Sequence, residues 1–247
     1  MDIALRIDDI GASSKKYEVY SKNRLGNIFF LKYLRRYKAW GPYRELTSTD
    51  WEEVFGLLEK HSARLTVGIT ASWVERDGTL IPFPEKYALE ASVLKQASNS
   101  GLIEIANHGL THCVAGQHLP RLMSSNRNYH REFWDCIPKS VHFEHLERSQ
   151  EIFTDWLDKT PTTFVPPGNV YTSTTVDACA KYGIKRINSY RTVDHQNDLV
   201  DIVDEKNVNA FHDREIVLNG INWFENLLCK LGAHGGDEEY VFVRDLK

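Results

Sequence analysis

Two adjacent carboxylates, Asp8 and Asp9, close the short apolar run Ile3 to Ile7, and two histidines four residues apart, His108 and His112, follow a second run, Leu102 to Asn107. A divalent ion that activates water needs a few nitrogen or oxygen ligands and at least one open position, and one carboxylate with two imidazoles is such a set. A second carboxylate that stays off the ion can take a proton from water, whose pKa falls toward ~7 on zinc. An Asp-Asp pair supplies one group for each role. His212, closing the late run VNAFH, is placed to protonate a leaving group from across a pocket. The turn Pro166-Pro167-Gly168 offers rigid backbone, with Pro167 and Gly168 lining the substrate and a following N–H facing a developing oxyanion. Each feature also has a plain reading: Asp pairs often start solvated loops, isolated histidines usually pack or face water, and Pro-Pro-Gly is a good turn.

These residues meet only if strand ends converge. Ile3 to Ile7 has no helical period and reads as a buried strand. Thr49-x-x-Glu52 reads as a capping box ahead of Trp51, Val54, Phe55 and Leu58, which share one helix face. Strand-like LTVGIT (65–70), a helix over about 85–98 stopped by Gly101, and the strand 102–107 continue the pattern. A helix over 142–159, strand 162–165, helix 176–182 stopped by Gly183 and strand 185–188 follow. Late strands are expected in VDIVDE (200–205), VNAFHD (208–213) and YVFVRDL (240–246), with a helix over 221–231. Strands alternating with helices imply parallel β/α units, and seven or eight of them suggest an α/β barrel with its chemistry at the strand C-termini. Asp8, Asp9, His108, the Pro-Pro-Gly turn and His212 all fall there.

A chain of 247 residues with 42% hydrophobic side chains can remove roughly three quarters of its surface from water in one core, so residues 1–247 are expected to form one domain. A net charge of −4 without a basic tail argues against nucleic acid as a partner. No apolar run approaches the ~18 residues of a membrane span. The four cysteines have no C-x-x-C spacing and are expected as free thiols. With Asp8 so close to Met1, no signal segment precedes the first candidate site, and a cytoplasmic location is expected.

The stretch from Lys22 to Arg44 carries seven Lys or Arg and no Asp or Glu, among Phe29, Phe30, Tyr33, Tyr37, Trp40 and Tyr43. It falls where a β/α unit has a short loop, and reads as an insertion over the mouth. One reading is a solvated loop. The sharper one is a lid in which Arg35 and Arg36, with Lys38, hold an anionic substituent of the substrate while aromatics stack or meet a membrane surface.

These motifs resemble those of the polysaccharide deacetylases, the NodB-like carbohydrate esterases. Arg6-Ile7-Asp8-Asp9-Ile10 is similar to the family's first motif, Thr-Phe-Asp-Asp-Gly, and His108-Gly109-Leu110-Thr111-His112 to its second, His-(Ser/Thr)-x-x-His. Phe164-Val165-Pro166-Pro167-Gly168 resembles the Phe-Arg-Pro-Pro turn, and Ala210-Phe211-His212 the last motif. The resemblance implies a distorted (β/α)7-8 barrel, with Asp8 as general base, Asp9, His108 and His112 as metal ligands and His212 as general acid. It implies a divalent metal, zinc first, with cobalt, manganese, iron or nickel as alternatives. The implied reaction is hydrolysis of an N-acyl group, acetyl first, from an amino sugar: a nucleotide-linked sugar, an oligosaccharide or a lipid-linked sugar. Three positions depart: Ile10 follows the Asp pair, Gly109 stands for Ser or Thr, and Val165 stands for the arginine that orients the base, a role for which Arg6, Arg191 and Arg214 are the alternatives. The loss keeps two further readings open, a catalytically retired barrel that binds a glycan or nucleotide sugar, and a deformylase of a lipid-linked amino sugar.

Overall fold

A computed structural model of the chain describes residues 2–21, 29–119, 131–190, 193–195, 197–204, 208–232 and 239–246. The first part of the basic insertion, 22–28, and Arg191 lie outside the described residues. In chain order the elements are β1 (Asp2–Ile10), α1 (Ser14–Tyr17), β2 (Tyr20–Ser21), β3 (Lys38–Trp40), α2 (Ser48–Lys60), β4 (Leu65–Ile69), β5 (Ser72–Val74), β6 (Leu80–Pro82), α3 (Phe83–Lys86), α4 (Ala88–Asn99) and β7 (Ile103–Asn107). They continue with α5 (Lys139–Leu157), β8 (Thr163–Phe164), α6 (Ser173–Lys181), β9 (Arg186–Ser189), β10 (Asp201–Asp204), β11 (Val208–His212), α7 (Asp213–Asn219), α8 (Ile221–Gly232) and β12 (Glu239–Val241).

Eight strands form one parallel sheet in the order β10-β9-β8-β7-β4-β1-β11, with β12 also on β1. This is the curled, distorted (β/α) barrel of the expectation. Its end strands β10 and β11 are not paired with each other among the described residues, so the barrel is open there. Helices cover the outside because their apolar stripes match the sheet. Trp51, Val54 and Leu58 of α2 and Ala91, Leu94 and Ala97 of α4 are buried in one cluster with Leu5, Ile7, Val67, Ile69 and Ile105 from the strands. A second cluster joins Leu146 of α5 and Val176 of α6 to Phe164 and Ile187.

Two sequence expectations need correction. The box that starts α2 is Thr47 with Asp50, not Thr49 with Glu52: Asp50 Oδ2 accepts the Thr47 N–H at 2.7 Å, and the Thr47 hydroxyl accepts the Asp50 N–H at 3.3 Å. YVFVRDL is strand only to Val241, after which Val243–Asp245 forms a 3-10 turn. Strands β2 and β3 pair as an antiparallel ribbon, and Trp40 and Tyr43 line one pocket with Asp8 and His108. Cys113, Cys136, Cys179 and Cys229 are free thiols. Among the described residues no helix is long and apolar enough to cross a membrane.

Candidate active site

In a regular strand Asp8 and Asp9 would point to opposite faces. Asp9 has φ +71°, and the pairing of β1 with β4 shifts register between Ile7 and Ile10. This bulge turns both carboxylates into one pocket, as bulges at strand ends commonly re-aim side chains. Asp8 shares a face of β1 with Arg6, two residues back, and pairs in register with His212 at the end of β11. His108 follows β7 directly; His112 sits in an irregular turn with φ +59°.

Asp9 Oδ1 lies 3.4 Å from His108 Nε2 and 3.0 Å from His112 Nε2, and one donor atom from each of the three falls within 4.8 Å of the other two. Ligands at ~2.1 Å from a common ion stand roughly 3.0–3.4 Å apart for octahedral or tetrahedral angles, so this set fits a divalent metal. His108 Nδ1 is 2.7 Å from the Val165 carbonyl. With Nδ1 as the donor, Nε2 keeps its lone pair for an ion, the usual arrangement behind a ligating imidazole. Val165 thus serves the site through its backbone while its buried side chain takes the place of the expected arginine.

Arg6 supplies the guanidinium. Its Nε donates to Asp8 Oδ1 at 2.8 Å and its NH2 to Asp8 Oδ2 at 2.7 Å, a bidentate fork with both side chains buried, while NH1 binds Asn188 Oδ1. Burial pushes the Asp8 carboxyl upward, but Arg6, aided by His108 and His212, outweighs it and leaves Asp8 below its ordinary value. Asp9 is held well below its own ordinary value: burial opposes, while His212, His112 and the bonds from His108 and His112 prevail. Both carboxylates therefore stay ionised near neutrality, one clamped by Arg6 and one facing the imidazoles.

The pocket holds about 300 Å³. Asp8, Asp9, His108, His112, His212 and Gly168 line it, with Pro166 and Asn169 from the turn. Pro167 does not line it and is buried behind, next to Gly109. Arg35 and Arg36 are exposed and do not line it; the Arg36 guanidinium lies 6.0 Å from the Tyr37 ring. The insertion contributes Trp40 and Tyr43 instead, facing Tyr20. Tyr20 and Trp40 stack at 5.2 Å, and Arg214, on α7, lies 5.0 Å over Trp40 with its Nε 3.1 Å from Glu215.

Sequence reasoning named Arg6 only as an alternative and missed the support beneath the site. Lys15 Nζ is buried between Glu45 Oε2, at 2.8 Å, and Asp213 Oδ2, and the Tyr43 hydroxyl donates to Asp213 Oδ1 at 2.9 Å. Burial and the neighbouring carboxylates raise Asp213 against the pull of Lys15. His145, expected as a surface or packing histidine, has Nδ1 2.6 Å from the buried Glu132. No short motif marks these residues, which come from separate stretches of the chain.

The sequence pattern of the family described as polysaccharide deacetylase matches residues 41–187. The chain belongs to the polysaccharide deacetylase family. The match takes in His108, His112 and the Pro-Pro-Gly turn, with the Asp pair before it and His212 after it. Among curated proteins none matches. Similar solved structures include a CE4 family pseudoenzyme, BA3943 from Bacillus anthracis (12% identity, TM-score 0.54, 99% of this chain and 64% of that one). The Xyl-CE4 domain of a multidomain xylanase from the hindgut metagenome of Trinervitermes trinervoides is similar at 11% identity, TM-score 0.53, over 98% of this chain and 87% of that one. The Bc1960 peptidoglycan N-acetylglucosamine deacetylase is similar at 13% identity, TM-score 0.52, over 98% and 86%. At these identities the likeness establishes the deacetylase barrel fold. The chain spans 64% of the length of the Bacillus anthracis protein.

Proposed function

We propose that this chain is a metal-dependent hydrolase that removes an N-acyl group, acetyl first, from an amino sugar. The observation that carries the reading is the division of labour in one pocket: Asp9 groups with His108 and His112, while Asp8 is gripped at both oxygens by Arg6. A divalent ion, zinc by preference, would be held by Asp9, His108 and His112 and would supply Lewis acidity toward the acyl carbonyl and water. Asp8 accepts the proton of the attacking water on a carboxylate oxygen. Arg6 keeps that carboxylate ionised and fixes its direction. His212, with 39% of its side chain exposed, donates a proton to the departing amine nitrogen.

The retired-barrel reading rested on Val165 in place of arginine, and the fork from Arg6 to Asp8 supports the active reading over it. For the substrate, the supporting feature is the wall made by Trp40, Tyr20 and Arg214. Arg6 is engaged with Asp8 and Asn188, and Lys15 with Glu45 and Asp213, whereas the Arg214 guanidinium lines the pocket beside the Trp40 ring and bonds Glu215 through Nε. A phosphate or carboxylate on the amino sugar suits that fork. Chelation is expected to abolish acetate release from N-acetylated sugars, and zinc or cobalt to restore it. Asp8→Asn should keep the metal and lose ~10²–10⁴ in turnover. Turnover indifferent to chelator defeats the reading, and preference for formyl over acetyl substrates would make the enzyme a deformylase.

A further inference from the structure

The turn that carries His112 has no regular structure to hold it. Residues 108–113 lie outside helix and strand, and the backbone passes through φ +83° at Gly109 and +59° at His112. Its start is tied to its neighbours, the Gly109 and Leu110 carbonyls accepting the Ala71 and Ser72 N–H groups at 2.9 and 2.7 Å and Asn107 Oδ1 accepting the Gly109 N–H at 2.8 Å. Its next three amides are held by a carboxylate. Glu132 Oε1 accepts the Leu110 N–H at 2.9 Å, and Glu132 Oε2 accepts the N–H groups of Thr111 and His112 at 3.2 and 2.9 Å. Three successive amides converging on one anion make a nest, and each charge-assisted bond is stronger than a neutral one. The Glu132 side chain is fully buried, with His145 Nδ1 of α5 closing its outer side at 2.6 Å. A carboxylate so placed is tolerable only while every partner stays in position.

Gly109 fits the same arrangement. A Cβ built there would overlap Glu132 Oε2 and crowd Pro167, so any side chain at 109 would displace the carboxylate or the turn. The position that departs from the family's Ser or Thr is the one that must be bare for Glu132 to enter.

We infer that Glu132 is the positioning residue of the metal site: through the three amides it fixes where His112 stands relative to Asp9 and His108, and Gly109 provides the space it occupies. The inference rests on reading Asp9, His108 and His112 as metal ligands. Glu132 touches neither substrate nor ion, and its effect passes through the backbone of the turn. A metal site whose second histidine sits on an irregular turn needs such a support, because a ring displaced by about 1 Å no longer bonds well.

Cobalt binding tests it without reference to turnover. In the unchanged protein, chelator competition gives the affinity and the visible cobalt spectrum reports the ligand set. Glu132→Gln replaces one acceptor oxygen with an NH2 group facing amide donors, and should lower cobalt affinity roughly 10–100-fold and change the spectrum as the His112 bond weakens. Gly109→Ala removes no hydrogen bond, yet should have the same two effects. In a Glu132→Ala background Gly109→Ala should lower cobalt affinity less than it does in the unchanged protein, since the overlap with the carboxylate is gone while the crowding of Pro167 and the strain at φ +83° remain. His145→Gln, which touches only the outer side of the carboxylate, should show a smaller fall in affinity and serves if Glu132→Gln does not fold. A merely structural Glu132 would lower the melting temperature while the folded variants keep wild-type cobalt affinity and spectrum; that result overturns the inference. Failure of the unchanged protein to bind cobalt would instead defeat the metal site itself, and this inference with it.

Discussion

Asp8 and Glu104 are both buried acids in the same barrel, and they are driven in opposite directions. Asp8, near the C-terminal end of β1, is held below its ordinary value, because the paired guanidinium of Arg6 and the nearby His108 and His212 overcome burial. Glu104, near the N-terminal end of β7, is raised, because burial prevails over all that opposes it: the hydroxyls of Thr163 and Thr66, the backbone N–H of Arg244 and the charge of the Arg244 guanidinium, which makes no bond to it. Equal burial therefore does not fix the state of a carboxyl. The formal charge of the bonded partner does, since neutral donors do not repay the desolvation of an anion and a bidentate guanidinium can. Asp8 at the mouth is thus pushed toward its ionised form, and Glu104 at the other end toward its protonated one.

The largest expected effect comes from making the mouth resemble the closed end. Arg6→Met leaves Asp8 buried with His108 and His212 but without its bidentate partner, so the carboxyl should rise and cease to be a base at neutral pH. Turnover is expected to fall by ~10²–10⁴, while zinc content should stay near that of the unchanged protein, since the cluster proposed to hold the ion is Asp9, His108 and His112. Arg6→Lys should recover only part of the loss, as an ammonium cannot span both oxygens. A variant that keeps its turnover would mean that Asp8 needs no cation, and the contrast with Glu104 would lose its functional meaning.

A smaller effect tests whether any cation at the mouth is left for substrate. Arg214→Ala should raise KM for an N-acetylated sugar bearing phosphate or carboxylate by ~10-fold or more and leave a neutral N-acetyl sugar nearly unchanged, the expected size for one charge-assisted contact. Arg35→Ala with Arg36→Ala should change neither, because both side chains lie outside the pocket lining. The reverse pattern would return the anion-binding role to the exposed part of the insertion.

Much of this was legible in the sequence. The β/α alternation is written in hydrophobic periodicity, which is local, and it placed Asp8, Asp9, His108 and His212 at strand ends as the sheet does. The aromatics of the basic stretch were named in the sequence, and two of them, Trp40 and Tyr43, line the pocket. Less legible were groups whose meaning depends on distance across the chain. Arg6 could be named but not placed, because whether it bonds to Asp8 depends on the bulge that aims the strand end. Glu132 carries no motif at all: its three amide partners lie some twenty residues earlier in a turn whose conformation depends on it. Gly109 was the trace it left, visible as a departure whose cause only the structure supplies.

The smallest effect concerns the closed end. A carboxyl raised in the folded state binds more protons there than in the unfolded chain between its ordinary value and its folded one, so stability falls as pH rises through that interval. Below the ordinary value the acid is protonated in both states and costs nothing; above the folded value the fold carries the full burden of a buried anion. Glu104→Gln keeps shape and hydrogen bonding without a titrating proton, so it should remove this slope. Melting temperatures of the two proteins should lie close together at acid pH, with Glu104→Gln pulling ahead as pH climbs from about 4.5, each ~1 kcal/mol being worth roughly 2–4 °C in a chain of this size. Lys159 and Arg244 line the same small cavity. If the two melting curves instead run parallel across the range, folding does not raise Glu104, and charge on the partner is not what separates the two ends of the barrel.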